Sequence, residues 1–215
     1  MKKNKKAIIF GANGQAEVVA HLLNVDSKYE VVAFCCSAKY RERDEIFGKP
    51  LVDFENIQEK YPPTEYEMYV SLSYADQNKV RERFYNEAKA KGYTLLTYIS
   101  SKTTNYAKSI GDNSFIFEDN TIQPFVEIGN NVILWSGNHI GHHSKVGDHC
   151  FISSHVVISG HCIIGENSFI GVNSTLRDGI YIGKYNTLGA GCLMIKSTED
   201  NQIYIGTKAT EYIKK

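Results

Sequence analysis

Six of the seven histidines in this chain of 215 residues fall between residues 139 and 161. An imidazole is well suited to proton transfer near neutral pH, and three or four convergent imidazoles could instead hold a zinc ion. The zinc alternative would involve His139, His142 and His143. No Cys or acidic residue adjoins them at ligand spacing, so we expect proton-transfer chemistry and no bound metal.

The element that must position these histidines is a repeat of six residues. Aliphatic residues recur without interruption at this interval, and the fourth residue after each is nearly always small. The fifteen repeat positions are Ile110, Ile116, Ile122, Ile128, Leu134, Ile140, Val146, Ile152, Ile158, Ile164, Ile170, Leu176, Ile182, Leu188 and Met194. Neither a helix nor a stack of hairpins has a period of six, whereas each flat side of a β-helix coil repeats one inward pair. The pattern predicts stacked parallel coils from about residue 108 to about residue 195.

The repeat register separates the histidines into two groups. His143, His149, His155 and His161 each stand three places after an aliphatic residue, where Asn, Asp or Gly stands in most other repeats. These residue types tolerate positive φ, so a structural role at a corner explains the four histidines. His142 stands two places after an aliphatic residue, on an outward side. It is therefore the candidate for chemistry.

The part of the chain before the repeats has the pattern of an α/β fold. Strands are predicted at 6–10, 30–34, 69–72 and 93–99, and helices at 17–23 and 77–91. This alternation predicts a small parallel sheet. A glycine turn, Gly11 to Ala16, joins the first strand to the first helix. Such a turn either binds an anion at the helix N-terminus or only bends the chain.

The six-residue pattern resembles that of the hexapeptide-repeat acyltransferases. Their fold is a left-handed parallel β-helix in which three repeats form one triangular coil, so that residues 18 apart stack at ~4.8 Å. The resemblance implies an α/β N-terminal Rossmann-like domain at 1–104 and a left-handed β-helix domain at 105–215. It also places Pro124, His142, Gly160 and Asp178 in one vertical stack.

Nearly the whole chain resembles bacterial N-acyltransferases that acetylate the 4-amino group of nucleotide-linked 4-amino-4,6-dideoxy sugars. These enzymes are close relatives of the sialic acid O-acetyltransferases. The resemblance rests on the segments 9–14, 78–85, 91–93 and 140–142, and on the closing segment 203–209. It implies a cytoplasmic homotrimer that uses acetyl-CoA to modify a sugar of a surface polysaccharide or glycoprotein. In that family each active site lies between two β-helices.

The resemblance also assigns roles to particular residues. His142 takes the place of the catalytic base, and Gly160 offers its backbone N–H on the acyl-donor side. The implied substrate contacts are Gly11, Asn13, Gly14, Gln15, Cys36, Ser37, Asn138 and His139. The implied coenzyme A contacts are Gly160, His161, Asn173 and Lys208.

This chain departs from the family pattern at four places, one of which is Lys208, where the family usually has Pro. Gln15 stands where the family usually has His, and Cys36-Ser37 follow Cys35 where the second strand usually ends in an acid. His143 stands where an acid usually orients the catalytic histidine. The orienting group is therefore open: Asp148, Glu127 or an acid from a neighbouring subunit are the alternatives.

Two other functions remain open at this point. The same histidine could serve O-acetylation of a sialic acid or another sugar hydroxyl, although a hydroxyl is harder to deprotonate than an amine. Alternatively, the chain could be a non-catalytic scaffold or sugar-binding protein. In that case, replacing His142 would leave its function unchanged.

Composition narrows the range of partners. Lys and Arg together number 24, as do Asp and Glu, so no basic excess indicates a nucleic-acid partner. No apolar run approaches the ~18 residues of a membrane span, and the apolar stretch at 7–10 is too short for a signal peptide. The five cysteines have no metal-type spacing. They are consistent with packed thiols in a reducing cytoplasm.

Overall fold

The computed structural model describes residues 2–208. The first part of the chain forms a five-stranded sheet with helices packed against it. Its elements are β1 (Lys5–Phe10), α1 (Gly14–Asp26), β2 (Tyr29–Cys36), a 3-10 turn (Ala38–Tyr40), β3 (Glu45–Ile46), β4 (Lys49–Asp53), α2 (Ile57–Lys60), β5 (Tyr66–Val70) and α3 (Lys79–Ala90). The strand order is β3-β4-β2-β1-β5, and every pair is parallel except β3 with β4. The predicted sheet is therefore largely parallel, with one antiparallel edge strand.

Two predicted elements of this part differ in the structure. The segment 93–99 is not a strand of the sheet: it makes one bridge, Leu95 to Met68, before it leaves. Its end pairs with the β-helix instead, where the Tyr98 ring stacks on Phe115 at 4.4 Å. The helix predicted from residue 77 begins at Lys79, because residues 76–78 have positive φ and are incompatible with a helical turn.

The rest of the chain winds into a parallel β-helix of two-residue strands. They are β6 (Tyr98–Ile99), β7 (Thr104–Asn105), β8 (Ser109–Ile110), β9 (Phe115–Ile116), β10 (Thr121–Ile122), β11 (Glu127–Ile128), β12 (Ile133–Leu134), β13 (His139–Ile140), β14 (Lys145–Val146), β15 (Phe151–Ile152), β16 (Val157–Ile158), β17 (Ile163–Ile164), β18 (Phe169–Ile170), β19 (Thr175–Leu176), β20 (Tyr181–Ile182), β21 (Thr187–Leu188), β22 (Leu193–Met194) and β23 (Ile203–Tyr204). From β8 to β20, every strand pairs with the third strand before or after it, so partners are 18 residues apart, as in Ile122 with Ile140. This confirms three repeats to a coil.

The strands form three faces. The first face contains β6, β9, β12, β15, β18, β21 and β23; the second contains β7, β10, β13, β16, β19 and β22; the third contains β8, β11, β14, β17 and β20. The predicted boundary at residues 104 and 105 stays a prediction, and it falls within β7 of the first coil. Residues 209–215 of the predicted second domain, with Ala209 of the closing segment, lie outside the described residues.

The predicted inward positions are confirmed. All fifteen aliphatic residues are buried except Ile110, which is partly buried in the first coil. The fourth position after each is buried as well, from Ser114 to Cys192. The corner residues have positive φ, including His143 at 60° and His161 at 59°. Phe125 and Tyr185 share this conformation, although neither is a residue type that the corner pattern anticipated.

The N-terminal part packs on the first face of the β-helix. Tyr69 of β5 lies 5.1 Å from Phe115, and Phe151 on the same face contacts Tyr74. At the corner between the first and third faces, the buried Arg81 of α3 binds the carbonyls of Asn131 and His149. The His142 corner is on the opposite side of the triangle. None of the helices within residues 2–208 combines the length and apolar character needed to span a bilayer.

Candidate active site

His142 stands exposed in the turn between β13 and β14, where the second and third faces meet. Its backbone N–H donates to Gln123 Oε1 at 2.9 Å, and its carbonyl accepts from the N–H of His161 at 2.9 Å. Gly160 stacks against the ring: a Cβ added there would lie 2.9 Å from Cε1 and 3.0 Å from Nε2 of His142. The structure therefore brings together the two residues predicted to be catalytic.

Two further imidazoles adjoin His142. Nδ1 of His142 lies 3.1 Å from Nδ1 of His143, within hydrogen-bond distance. The His143 ring lies between Phe125, with centroids 4.7 Å apart, and His161, at 4.9 Å and an interplanar angle of 10°. His142 is nearly perpendicular to both, at 89° to His143 and 87° to His161. In the corner column of Phe125, His143 and His161, the His143 ring is thus parallel to His161, tilted by 34° from Phe125 and edge-on to the candidate base.

These three imidazoles also bear on metal binding. One nitrogen of each of His142, His143 and His161 lies within 4.8 Å of the others. Tetrahedral zinc with bonds of ~2.0–2.1 Å would require nitrogens about 3.4 Å apart, so the group is loose for zinc as it stands. His139, which the sequence placed in the alternative zinc set, is not a member, and His161 takes its place. That no metal binds stays a prediction.

The other corner histidines differ in their surroundings. His155 is exposed, with its ring over Gly137. His149 is buried against α3, and its Nδ1 lies 2.9 Å from Nδ2 of Asn131. Because Asn131 Oδ1 accepts from Arg81 and Asn113, its Nδ2 must donate to His149, which makes Nδ1 of His149 the acceptor. Burial lowers the pKa of His149, and the neighbouring Glu82 carboxylate opposes that shift.

A second candidate site lies at the carboxyl ends of β1 and β2. A cavity of about 430 Å³ is lined by Gly11, Asn13, Cys36 and Ser37, all predicted to contact substrate. Tyr40 and Phe84 supply aromatic surface there, and Lys39 and Arg83 supply positive charge. The sequence reasoning missed these four, although basic and aromatic residues directly after β2 and in α3 were the available signal. Burial raises the pKa of the Cys36 thiol and so favours its neutral form.

The glycine turn beside this cavity serves the fold as well as any ligand. Gly11 has φ +137°, and a Cβ there would lie 2.6 Å from the Ser71 carbonyl oxygen, so only glycine fits. Its N–H donates to the Cys35 carbonyl at 2.8 Å, so this amide serves the fold, and the contact of Gly11 with substrate stays a prediction. Within residues 2–208, the amides of Asn13 and Gly14 have no protein acceptor, and the Asn13 side chain caps α1 through Ala16. These two amides remain available to an anion.

The remaining predicted contacts are dispersed. Gly14 and Gln15 do not line the cavity. Asn138 lies inside the coil at 1% exposure, where it accepts from the Val156 N–H at 2.8 Å, so its predicted contact with substrate is contradicted. His139 is half-buried and faces outward on β13. Asn173 is an exposed corner residue, and Lys208 is exposed at the end of the described chain. Neither belongs to the vertical stack that contains His142 and Gly160.

The coils also match a known sequence family. The model of the bacterial transferase hexapeptide (six repeats) matches residues 108–142, 128–160 and 161–196. These coils are bacterial transferase hexapeptide repeats. Their register agrees with the spacing of 18 residues seen in the strand pairing of the hexapeptide-repeat domain. No curated protein matches the chain at a significant level.

Solved structures share the fold of nearly the whole chain. The acetyltransferase domain of PglB from Neisseria gonorrhoeae in complex with acetyl coenzyme A has a TM-score of 0.83 and 23% identity, covering 94% of this chain and 97% of that one. A histidine-to-asparagine mutant of perosamine N-acetyltransferase from Caulobacter crescentus, with CoA and GDP-perosamine, has a TM-score of 0.84 and 21% identity, covering 94% and 93%. WeeI from Acinetobacter baumannii has a TM-score of 0.80 and 18% identity, covering 94% and 97%. The chain therefore has the architecture of these proteins, with a left-handed β-helix after the α/β part.

Proposed function

We propose that this protein transfers an acetyl group from acetyl-CoA to the 4-amino group of a nucleotide-linked 4-amino-4,6-dideoxy sugar. The observation that carries the proposal is the exposed imidazole of His142 against Gly160, on a hexapeptide-repeat coil. The structural neighbours include a sugar N-acetyltransferase crystallised with CoA and GDP-perosamine. That protein has the same two-part architecture, which supports a nucleotide sugar and coenzyme A as partners.

In this mechanism His142 acts as general base. It takes a proton from the sugar ammonium before the nitrogen attacks the thioester carbonyl, or from the amine as it attacks. The C–S bond of the tetrahedral intermediate then breaks, and the coenzyme A thiolate leaves and takes up that proton. The backbone N–H of Gly160 stabilises the oxyanion that forms on the carbonyl oxygen. No covalent intermediate on the enzyme is required. His161 and the corner residue Asn173 remain proposed contacts of coenzyme A, as does Lys208.

The N-terminal part would hold the nucleotide in the manner of a Rossmann-like domain. The free amides of Asn13 and Gly14 at the start of α1 favour an anion. Lys39 and Arg83 add positive charge to the cavity that Asn13 lines, which suits a diphosphate. Tyr40 and Phe84 offer ring faces to a base.

The arrangement of the two sites supports a homotrimer. The N-terminal part covers the first face, whereas His142 stands at the corner between the other two faces. Those two faces carry exposed apolar side chains, including Val157 and Leu193 on the second and Ile163 on the third. Exposed apolar surface of this kind marks interfaces. Association through these faces would place His142 of one protomer beside the neighbouring protomer.

The test is acetyl transfer measured as thiol release from acetyl-CoA against a panel of UDP-, dTDP- and GDP-linked amino sugars. Replacing His142 with Asn should lower kcat by ~10²–10⁴, the range for loss of a positioned base. The loss should diminish as pH rises, because the amine then arrives unprotonated. His155→Asn is the matched control, since His155 is an exposed corner residue remote from the Gly160 stack. Full activity of the His142 variant would refute the mechanism, and transfer only to sugar hydroxyls would establish the O-acetylation alternative.

A further inference from the structure

The ring of the candidate base has one side-chain hydrogen-bond partner within residues 2–208, and that partner is a second histidine. His142 Nδ1 and His143 Nδ1 are 3.1 Å apart. The carboxylates suggested by the sequence are engaged elsewhere. Asp148 accepts from the Asn130 backbone N–H at 2.7 Å, and Glu127 pairs with Lys108 and Lys145. Among the described residues of this chain, the imidazole of His143 is therefore the group in place to orient His142.

The corner column makes His143 suitable for that task. Its backbone has φ 60°, and its ring lies between Phe125, tilted by 34°, and His161, on which it stacks at 10°. Contact with a ring on each face restricts rotation of the imidazole, so that an edge nitrogen rather than a face meets His142. The interplanar angle of 89° between the two imidazoles lets a proton on one Nδ1 point at the lone pair of the other.

Only one proton can lie between two Nδ1 atoms in a neutral pair. If His142 is to accept a proton at Nε2, its own proton must be on Nδ1. We propose that His143 is a positioning residue that accepts this Nδ1–H, holds His142 in the Nδ1-protonated tautomer and leaves Nε2 free as the base. The proposal rests on the proposed function for its catalytic consequence, but the tautomer itself is a property of the free protein.

One consequence distinguishes a histidine from an acid in this role. A carboxylate accepts from His142 but has no proton of its own to give while ionised. A His143 that gains a proton carries N–H on both nitrogens, so its Nδ1–H faces His142 and can no longer accept. A His143 that carries both protons therefore cannot orient the base, whereas an ionised carboxylate at this corner can.

The experiment uses three full-length variants at this corner and one control. His143→Gly removes the side chain, and glycine suits the positive φ. His143→Asp supplies an acceptor in a residue type that tolerates the same backbone, and His143→Asn offers an amide oxygen. His155→Gly removes an exposed corner histidine at φ 57° that does not adjoin His142. Thermal unfolding would confirm that all four fold.

The first readout is the tautomer of His142, from ¹⁵N chemical shifts of histidine-labelled protein without substrates, assigned with His142→Asn. We expect Nδ1 to carry the proton in the wild type, in His143→Asp and in His155→Gly, and Nε2 to carry it in His143→Gly. An Nε2–H tautomer in the wild type, or an unchanged tautomer in His143→Gly, would overturn the proposal. The second of these results would mean that a group outside the described residues orients the ring.

The second readout is kinetic. His143→Gly should lower kcat on the order of 10- to 100-fold. KM should change little, because the base contributes only in the transition state and its misorientation does not weaken substrate binding. His143→Asp should recover most of that loss, because its carboxylate can accept the same Nδ1–H. Unchanged kcat in His143→Gly would contradict the positioning role. If the tautomers behave as expected but the wild type transfers acetyl to none of the amino sugars, the proposed function fails and the positioning contact stands. Full activity of His142→Asn would refute only the general-base mechanism.

Discussion

At the scale of single residues, the position in the repeat decides whether a histidine lies on an outward side or at a corner. His142 and His143 are neighbours in sequence, yet one faces outward against Gly160 and the other occupies a left-handed corner. His149 occupies the same kind of corner as His155, but α3 covers it. Each corner thus requires a residue that tolerates positive φ, and the neighbouring side chains determine whether that residue can also have a functional role.

Replacing Gly160 should lower activity, because glycine leaves room for the His142 ring beside it. Its φ is outside the left-handed region, so Gly160→Ala is compatible with the backbone, but the new Cβ would stand 2.9 Å from His142 Cε1. The imidazole would have to shift, and misplacement of a catalytic group costs on the order of 10- to 100-fold in kcat. Steady-state kinetics would measure this loss, with thermal unfolding as the check on folding. A variant as active as the wild type would show that the ring does not need this position.

His149 should make stability depend on pH. Burial lowers its pKa, and its Nδ1 accepts from Asn131, so the folded state favours the neutral ring. The unfolded chain binds a proton more readily, since its His has a pKa near ~6.5. The stabilisation is therefore fully present above about pH 6.5 and is lost as pH falls towards the lower folded pKa.

The measurement is urea unfolding at several pH values for the wild type and His149→Asn. Asparagine tolerates the corner, where His149 has φ 62°, and does not titrate. We expect the free energy of unfolding to decrease less steeply on acidification in the variant. Parallel pH profiles for the two proteins would contradict this account. His155→Asn, at an exposed corner, should keep the wild-type profile.

At the scale of elements, each two-residue strand separates an inward from an outward residue. On β19, Leu176 is fully buried and the adjacent Thr175 is exposed. Each coil pairs only with the coils above and below it, so a single defect breaks a continuous core. The hexapeptide-repeat domain should therefore be intolerant of charge at the inward positions.

Leu176→Asp should prevent folding, because an unpaired buried carboxylate costs several kcal/mol. Thr175→Asp, one residue away, should change the free energy of unfolding by less than about 1 kcal/mol. Soluble expression and circular dichroism would compare the two. A folded Leu176→Asp protein of wild-type stability would show that the register of β19 is wrong.

At the scale of the whole molecule, the two candidate sites are on different sides of one chain. The cavity at 11–13 and 36–40 belongs to the part that packs on the first face, and His142 is at the opposite corner. Acetyl transfer requires both substrates to meet at one base. An assembly of several chains supplies a physical route to that meeting.

We expect light scattering to give three times the mass of one chain at assay concentration. In a second experiment, His142→Asn and Arg83→Ala proteins are mixed, unfolded and refolded together. If each active site contains residues of two protomers, the mixture should regain part of the activity that each variant lacks. An active monomer would contradict the trimer. A trimer without complementation would place both substrates on one protomer.

The sequence by itself determined the β-helix, because each coil contacts only its neighbours and the sequence period therefore equals the structural period. It also determined the corners at Asn, Asp, Gly and His, and the separation of His142 from the other histidines, since both follow from position within six residues. Tertiary structure decided what depends on distant partners. Only the structure shows that Asn138 is buried inside the coil, that the Gly11 N–H donates to the Cys35 carbonyl and that the His149 carbonyl accepts from Arg81, 68 residues away. The structure also shows that the segment 93–99 leaves the sheet, because Tyr98 stacks on Phe115 of the β-helix. Side chains that meet across two folding units leave no periodic trace in the sequence, and only the packed molecule shows them.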